Sequence, residues 1–532
     1  MALNGPIAVV GSGPAGVAAA RPLIEAGLPV TIIDAGSESM PPPPPDRPTL
    51  AELRRDAPRS WQYLVGEDLR GLRDMSAVSP KFRLAADPDF LDRFTAFNRI
   101  RAANFVPIGC LAPGGLSNVW GAITFAYDDA DMAGWPIGAS DLAPSYRRVS
   151  ARIGVSGPLS DDLDRGGPPP LRLQAALPLS PLGMRLLMAY GRKRDRLKIR
   201  LGRTRLAVLS ADHGGRKACS LDNACFLGCA QGAIYSAAQE LPDLLERRNV
   251  EFLASAAVER LRRNGAGWTL DLRDRQSGAG RSLAAAKVIL AAGALASARL
   301  ALEAAGRSDS VALENSPAIA FALLFPAALG AALPGSGFGM AQIGFSLPLG
   351  DTPGNEMLGL LYPADSLSST EFLQRMPTTR PGGIALLRDL VPGLFIGLAY
   401  LPGSYSQNRV RLVAGADGKP WLDIEGGRKW EFAATLRSAL GVLRRDFLRL
   451  GGFLLPGSVQ IYQPGAEAHY AGPLAMGRLS DRLGEIAGAP GLHAVDGAAL
   501  PGMPARNPTL TIMANADRIG TALAARWSQT ER

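Results

Sequence analysis

The sequence predicts an α/β chain of two domains: a nucleotide-type parallel sheet first, then a smaller α+β domain built on an antiparallel sheet. Three observations carry this expectation. At 532 residues the chain is longer than one ordinary core needs. Near its start, the apolar run Ile7-Ala8-Val9-Val10 leads into Gly11-Ser12-Gly13-Pro14-Ala15-Gly16 and then the Ala-rich stretch Val17 to Ala26, which reads as strand, tight turn and helix. Beyond about residue 310, short β-type segments and one long amphipathic stretch replace the glycine motifs.

In the first element, Gly11 permits the turn, Gly13 lets the backbone approach a pyrophosphate, and Gly16 lets helix and strand pack closely. The helix N-terminus, at Pro14 and Ala15, offers unpaired N–H donors to an anion. A second apolar run, Pro29 to Ile33, ends at Asp34, 18 residues beyond Gly16. That is close to the roughly 20 expected for an acid that binds a ribose. Strand, helix and acid together make this a Rossmann-like dinucleotide fingerprint rather than a chance glycine turn.

The proline run Pro41 to Pro45 should be an exposed loop, followed by a polar helical region around Leu50 to Leu72. Gly134 to Ile137, Asp141 to Tyr146 and Ile153 to Gly157 read as a turn, a capped helix and a stop, with a Pro/Gly linker from Gly157 to Pro170. Val258 to Leu261 and Trp268 to Leu272 suggest a hairpin closed by Asn264-Gly265. Lys287 to Leu290 reads as a strand entering the glycine turn Ala292-Gly293, with a helix to about Ala305. Strands near Ala341 to Leu347 and Leu394 to Tyr400, a hairpin Arg409 to Ile424 turning at Asp417-Gly418, and the helix Trp430 to Leu450 would build the second domain. The expected boundaries are 1–310, 311–460, and 461–532 returning to the first domain.

With 47% apolar and 20% charged residues the chain is globular. No basic segment and cleavage site precede the first strand, and the four cysteines form no paired framework, so the expected location is cytoplasmic. The net charge is +9, with the densest basic run from Arg192 to Arg205. No nucleic-acid module accompanies it, so a solvated helix end leading into a strand, Leu201 to Leu209, is favoured over a nucleic-acid or membrane surface. Pro317 to Pro334 carries no charge, is barely long enough to span a bilayer, and is read as buried or lid-like. Cys219, Cys225 and Cys229 lack the usual two-residue spacing of a metal site, although His213 is a conceivable fourth ligand. They are read as packing thiols, with no metal.

Of the three histidines, His469 opens the stretch His469-Tyr470-Ala471-Gly472, and Asn507 stands before the turn Pro508-Thr509. A base with a hydrogen-bonding partner is one reading; loop-stabilising residues are the other. His213 and His493 are read as structural.

Taken in order, the N-terminal fingerprint, Gly114-Gly115-Leu116-Ser117-Asn118-Val119-Trp120-Gly121, Ala291 to Ser297, and His469 to Ile512 resemble the glucose-methanol-choline oxidoreductases, flavoenzymes that oxidise alcohols. Trp120 and the cysteine segment place the resemblance closer to the bacterial, sugar-oxidising and pyranose-oxidase-like side. It implies FAD as cofactor and His469 as the base that takes the hydroxyl proton, while Asn507 holds the carbinol carbon for hydride transfer to flavin N5. It also implies cofactor contacts at Gly115, Ser117, Asn118, Ala292 and Gly293. Asp34 would take the ribose, Val258 the adenine, Asp496-Gly497 the pyrophosphate or ribityl chain, and Pro508-Thr509 the isoalloxazine edge. Pyranose oxidases bond the flavin to a histidine where this chain has Asn118-Val119, so non-covalent FAD is implied. The family usually has Gly-Thr after the histidine, and this chain has Gly472-Pro473. The substrate would be a small-molecule alcohol, a sugar or, from the apolar texture of Phe321 to Leu333, Phe338 to Leu349 and Phe395 to Leu401, a lipophilic one. The acceptor would be oxygen or another oxidant. The alternatives are non-alcohol chemistry on the same fold, since the family includes a lyase and a light-driven decarboxylase, and a non-catalytic flavin-binding interaction protein.

Overall fold

The computed structural model describes residues 5–37, 42–44, 46–56, 92–165, 167–366 and 378–529. Pro41, Pro45 and residues 57–72 of the expected loop and helical region lie outside them. The remainder of that region is the short helix α2 (Leu50–Asp56), after α1 (Pro14–Glu25).

The nucleotide-type sheet has five parallel strands in the order β22 (Leu492–Ala494), β11 (Lys287–Leu290), β1 (Ile7–Val10), β2 (Val30–Ile33) and β7 (Val250–Leu253). β1 and β2 are buried at every position, which is why they read as unbroken apolar runs rather than alternating ones. Two glycines make the turn after β1 possible. Gly11 has φ +101°, and a Cβ there would lie 2.4 Å from the Ala291 carbonyl oxygen; at Gly16 a Cβ would lie 1.9 Å from the Gly11 carbonyl oxygen. The last helix, α10 (Thr509–Ser528), packs on α1 and closes this half.

The expected hairpin is there as β8 (Ala256–Asn264) and β9 (Gly267–Asp274), extended by a third strand, β10 (Gly280–Ala285), that the sequence reading did not include. Glycine 293, with φ +87°, starts α7 (Ala294–Ala304). Between these halves run α3 (Asp92–Phe97), α4 (Ala139–Ile153), α5 (Pro181–Gly191), α6 (Leu241–Leu245) and a two-residue pair, β4 (Val155–Ser156) with β5 (Leu173–Gln174).

Two further sheets form the rest. One runs β21 (Tyr470–Ala471), β12 (Val311–Asn315), β17 (Asn408–Ala414), β18 (Pro420–Glu425) and β3 (Ile100–Ala103), antiparallel except for the β18–β3 pair. The other is antiparallel: β19 (Phe453–Leu454), β13 (Ala318–Leu324), β16 (Leu394–Tyr400), β15 (Glu356–Pro363), β14 (Ile343–Pro348) and β6 (Arg200–Arg203), with β20 (Gln460–Ile461) also on β13. α5 and α9 (Glu431–Arg449) cover one face of this larger sheet. The remaining helix is α8 (Arg380–Leu390). The fold class is the one expected, an α/β nucleotide-type domain with an antiparallel α+β region.

Two expectations are corrected. The strand expected over Leu201 to Leu209 is only β6, because at Arg205 the chain leaves the sheet. The Arg205 guanidinium makes a buried pair with Asp164 at 2.8 Å, and Leu206 and Ala207 donate to Ser156 and Ala122 instead. The uncharged stretch Pro317 to Pro334 is half strand, β13, and half exposed loop. Among the described residues no helix is long and apolar enough to cross a membrane.

Candidate active site

A cavity of about 1160 Å³, open to solvent at its mouth, runs between the turn after β1 and the start of α10. Gly11, Gly13, Pro14 and Ala15 line it at one end, and His469, Pro508 and Thr509 at the other. Between them are Asp34, Gly115, Ser117, Ala292, Gly293, Asp496 and Gly497. A smaller cavity of about 480 Å³ shares Gly11, Asp34 and Ala292 with it and reaches Val258. Thus residues from seven separated segments meet in one space. Gly16 is not in the wall, since it is spent on packing against Gly11. Asn118 is not there either, because its amide donates to the Pro113 carbonyl at 2.9 Å and accepts from Ser236 Oγ at 2.7 Å.

Asp34 ends β2 and is buried. Its Oδ2 accepts from the Ser12 N–H at 2.8 Å and the Ser12 hydroxyl at 2.6 Å, while Oδ1 accepts from the Gly36 N–H at 2.8 Å. Burial pushes this carboxyl up, and the hydrogen bonds and Arg275 pull it back. A carboxylate has about four acceptor positions, so one is left for a ligand hydroxyl. Ser12 also accepts from the Gly114 N–H at 3.1 Å and so ties the first turn to the Gly114–Asn118 loop. Asp496 accepts from Ser297 at 2.5 Å and from the Ala498 N–H at 3.0 Å, and burial pushes it up to about 6.

At the far end, Asn507 Nδ2 lies 3.5 Å from His469 Nε2, both side chains buried. Tyr400, at the end of β16, sets its ring 5.0 Å from the imidazole, and burial holds its phenol well above the usual range. Glu467, buried two residues before the histidine, lines the same wall and accepts from Asn315. Ala468 takes φ +62°, a left-handed conformation for a residue with a Cβ, immediately before His469.

Asn507 is held from both sides. Arg506 pairs with Asp131 at 3.3 Å and Glu356 at 3.5 Å, and Arg165 joins the same carboxylates and Asp128 at 2.6–3.3 Å. The Tyr127 hydroxyl donates to the Arg506 carbonyl at 3.1 Å, and Tyr146 and Thr511 share a 2.7 Å bond. Sequence reasoning missed Tyr400, Glu467 and this network. One signal was present: Arg506 is the single charge between Asp496 and Asp517.

Other candidates separate from the site. Phe321, Phe345 and Phe395 pack with Phe447 on the far face of the larger sheet, so the apolar texture that suggested a lipophilic substrate is core there. None of Arg192 to Arg205 lines either cavity. Cys219, Cys225 and Cys229 are free half-buried thiols. Burial pushes Cys219 up to about 11 and Cys225 higher still. No group of three or more His, Cys, Asp or Glu among the described residues is placed to hold a metal. His493 Nδ1 donates to the Leu483 carbonyl at 3.0 Å, and its ring packs on Trp527; His213 sits in a turn with Arg216.

The chain is similar in sequence to one known protein and in fold to solved structures. A paromamine 6'-oxidase from Streptomyces fradiae is 26% identical over 545 residues, covering 97% of this chain and 91% of that protein. The crystal structure of a pyridoxine 4-oxidase from Mesorbium loti superposes with a TM-score of 0.61 at 18% identity, covering 99% of each chain. The glucose-methanol-choline resemblance holds. No protein-family model matches the chain. Within the glucose-methanol-choline pattern, the departure at Gly472-Pro473 falls outside the cavity wall, where Leu474 and Met476 donate to the Ala498 and Ala499 carbonyls.

Proposed function

We propose that this chain is an FAD-dependent oxidoreductase that oxidises the CH–OH group of a small-molecule alcohol. The observation that carries the reading is that His469, in the wall of the cavity that begins at Gly11 and Asp34, sets its Nε2 3.5 Å from Asn507 Nδ2, which stands just behind the wall residue Pro508.

The walls fit a dinucleotide held without a covalent bond. The first turn of α1 has no side-chain cap, so its N–H groups remain for a pyrophosphate where Gly13 and Ala15 line the cavity. At Gly293 a Cβ would meet nothing within 4 Å, so the space beside it is open. Asp34 keeps an acceptor position for a ribose hydroxyl, Val258 lines the space suited to adenine, and Asp496-Gly497 with Pro508-Thr509 wall the flavin end. When bound, FAD supplies the acceptor for the hydride leaving the carbinol carbon.

The chain's own residues do the rest. With the Asn507 amide as donor, His469 Nε2 is the unprotonated nitrogen, the state a base requires. A hydroxyl oxygen placed between the two gives its proton to Nε2 and accepts from Asn507, which fixes the carbinol carbon and favours the developing oxygen charge. Tyr400 against the imidazole limits its rotation. The names of both relatives support oxygen as the acceptor.

The test is spectroscopic. The purified protein should be yellow, and its flavin should bleach anaerobically with one class in a panel of sugars, amino sugars, pyridine carbinols, sterols and aliphatic alcohols. A colourless protein that FAD cannot reconstitute sinks the reading.

A further inference from the structure

The apolar half of Pro317 to Pro334 that leaves the sheet forms a loop, residues 326–337, without one charged side chain. Within it Leu329 and Leu333 are exposed. The neighbouring helices expose Met184 and Met188 on α5 and Ile384 and Leu386 on α8, and all six are between 42% and 54% exposed. These elements are contiguous: Arg185 on α5 donates to the Ala327 carbonyl at 3.3 Å, and the Gly330 N–H donates to the Asp389 carbonyl at 2.9 Å. Met184 and Met188 are four residues apart, so they share one helix face, opposite the buried Leu182 and Leu186. A surface helix normally turns charge outward, and α5 turns thioethers outward.

Around this patch the exposed charge is mostly basic. Arg192, Lys193, Arg194 and Arg196 follow α5 directly and are all exposed, with Arg185 and Arg388 on the helices themselves. Asp195, Asp389 and Asp162, which pairs with Arg194 at 3.7 Å, are the acidic exceptions. Two copies of the chain meeting about a twofold axis would set this basic rim against itself. An anionic lipid surface complements both parts, the apolar side chains entering the headgroup boundary and the guanidinium groups facing the lipid charge.

We propose that the loop 326–337 with α5 and α8 is a docking surface for an anionic membrane. Its α5 part packs on the face of the larger sheet opposite Tyr400, and it stands independently of the proposed chemistry.

Sedimentation of the full chain with vesicles tests it. Vesicles of phosphatidylglycerol and phosphatidylcholine should retain the protein at low salt, pure phosphatidylcholine should retain far less, and added salt should release it. Arg192→Glu with Arg196→Glu should weaken retention about 30-fold or more. Leu329→Asp with Leu333→Asp should abolish retention while the thermal melt in solution stays unchanged, since both side chains are exposed. Absence of retention on the anionic vesicles overturns the proposal, as does equal retention on both compositions. Light scattering that shows a dimer lost in the Leu329→Asp, Leu333→Asp protein, without vesicle binding, assigns the patch to a second copy and overturns it too.

Discussion

The two ends of the main cavity are built by different means. At the Gly11 end the wall is largely backbone: two glycines, an uncapped helix start, and one carboxylate whose partners lie within 22 residues of it. At the His469 end, His469 and Glu467 in the wall are backed by side chains brought from far apart, with Tyr400 and Asn507 against the imidazole and a buried ion network at Arg506. A backbone-built end leaves its mark as spacing within a short window. A side-chain-built end does not, because its members are partners only once the sheets have formed.

The largest expected effect separates the ends. His469→Ala should lower turnover by about 100- to 10,000-fold while leaving the visible flavin spectrum intact, read by anaerobic bleaching in a stopped-flow instrument. Loss of colour in that variant would mean that the ends are not independent. Next comes the network. Arg506→Met leaves Asp131 and Glu356 short of a counter-charge and should destabilise the protein by about 3–5 kcal/mol in chemical denaturation. A change below about 1 kcal/mol would show that Asn507 is held by Tyr127 and Pro508 alone.

Asp496 gives a pH dependence of a definite sign. Its folded-state carboxyl is raised from 3.8 to about 6, so the native state holds a proton that the unfolded chain releases. The stability it contributes is full below pH 3.8 and is lost as pH rises through about 6, a swing of up to about 3 kcal/mol. Asp496→Asn should flatten that window relative to the unaltered protein, as measured by denaturant melts at intervals between pH 4 and 7. An unchanged slope would assign it to another group. The smallest effect sharpens the nucleotide end: Ser12→Ala removes the 2.6 Å bond to Asp34 and the acceptor for Gly114, and should cost about 1–2 kcal/mol with weaker FAD retention on gel filtration.

These contrasts explain what could be read from the sequence. β1, the Gly11–Gly16 turn, Asp34, β14, β16 and α9 follow from local periodicity and turn residues. His469 and Asn507 were singled out through motif order, and the fold brings their side chains within 3.5 Å. Tyr400 was not, because nothing around Leu394 to Tyr400 distinguishes the tyrosine that faces the imidazole from an ordinary strand end. Asn118 was placed by motif at the cofactor, yet its amide bonds Pro113 and Ser236, the latter 118 residues away in sequence, and it does not line the cavity. Arg205 likewise ended a strand early by pairing with Asp164, a choice that no window of neighbouring residues encodes.

The five-stranded sheet places β22 beside β11 and β1 at its centre, and α10 packs on α1. During synthesis the Gly11–Asp34 segment therefore waits for residues 492–528 before its sheet edge and helix layer are covered. At about 5–20 residues per second that interval is roughly half a minute or more, during which α1 exposes its alanine face. The Gly11–Asp34 turn is made long before the elements that close it, which leaves the nascent chain, rather than the folded protein, with this apolar face uncovered.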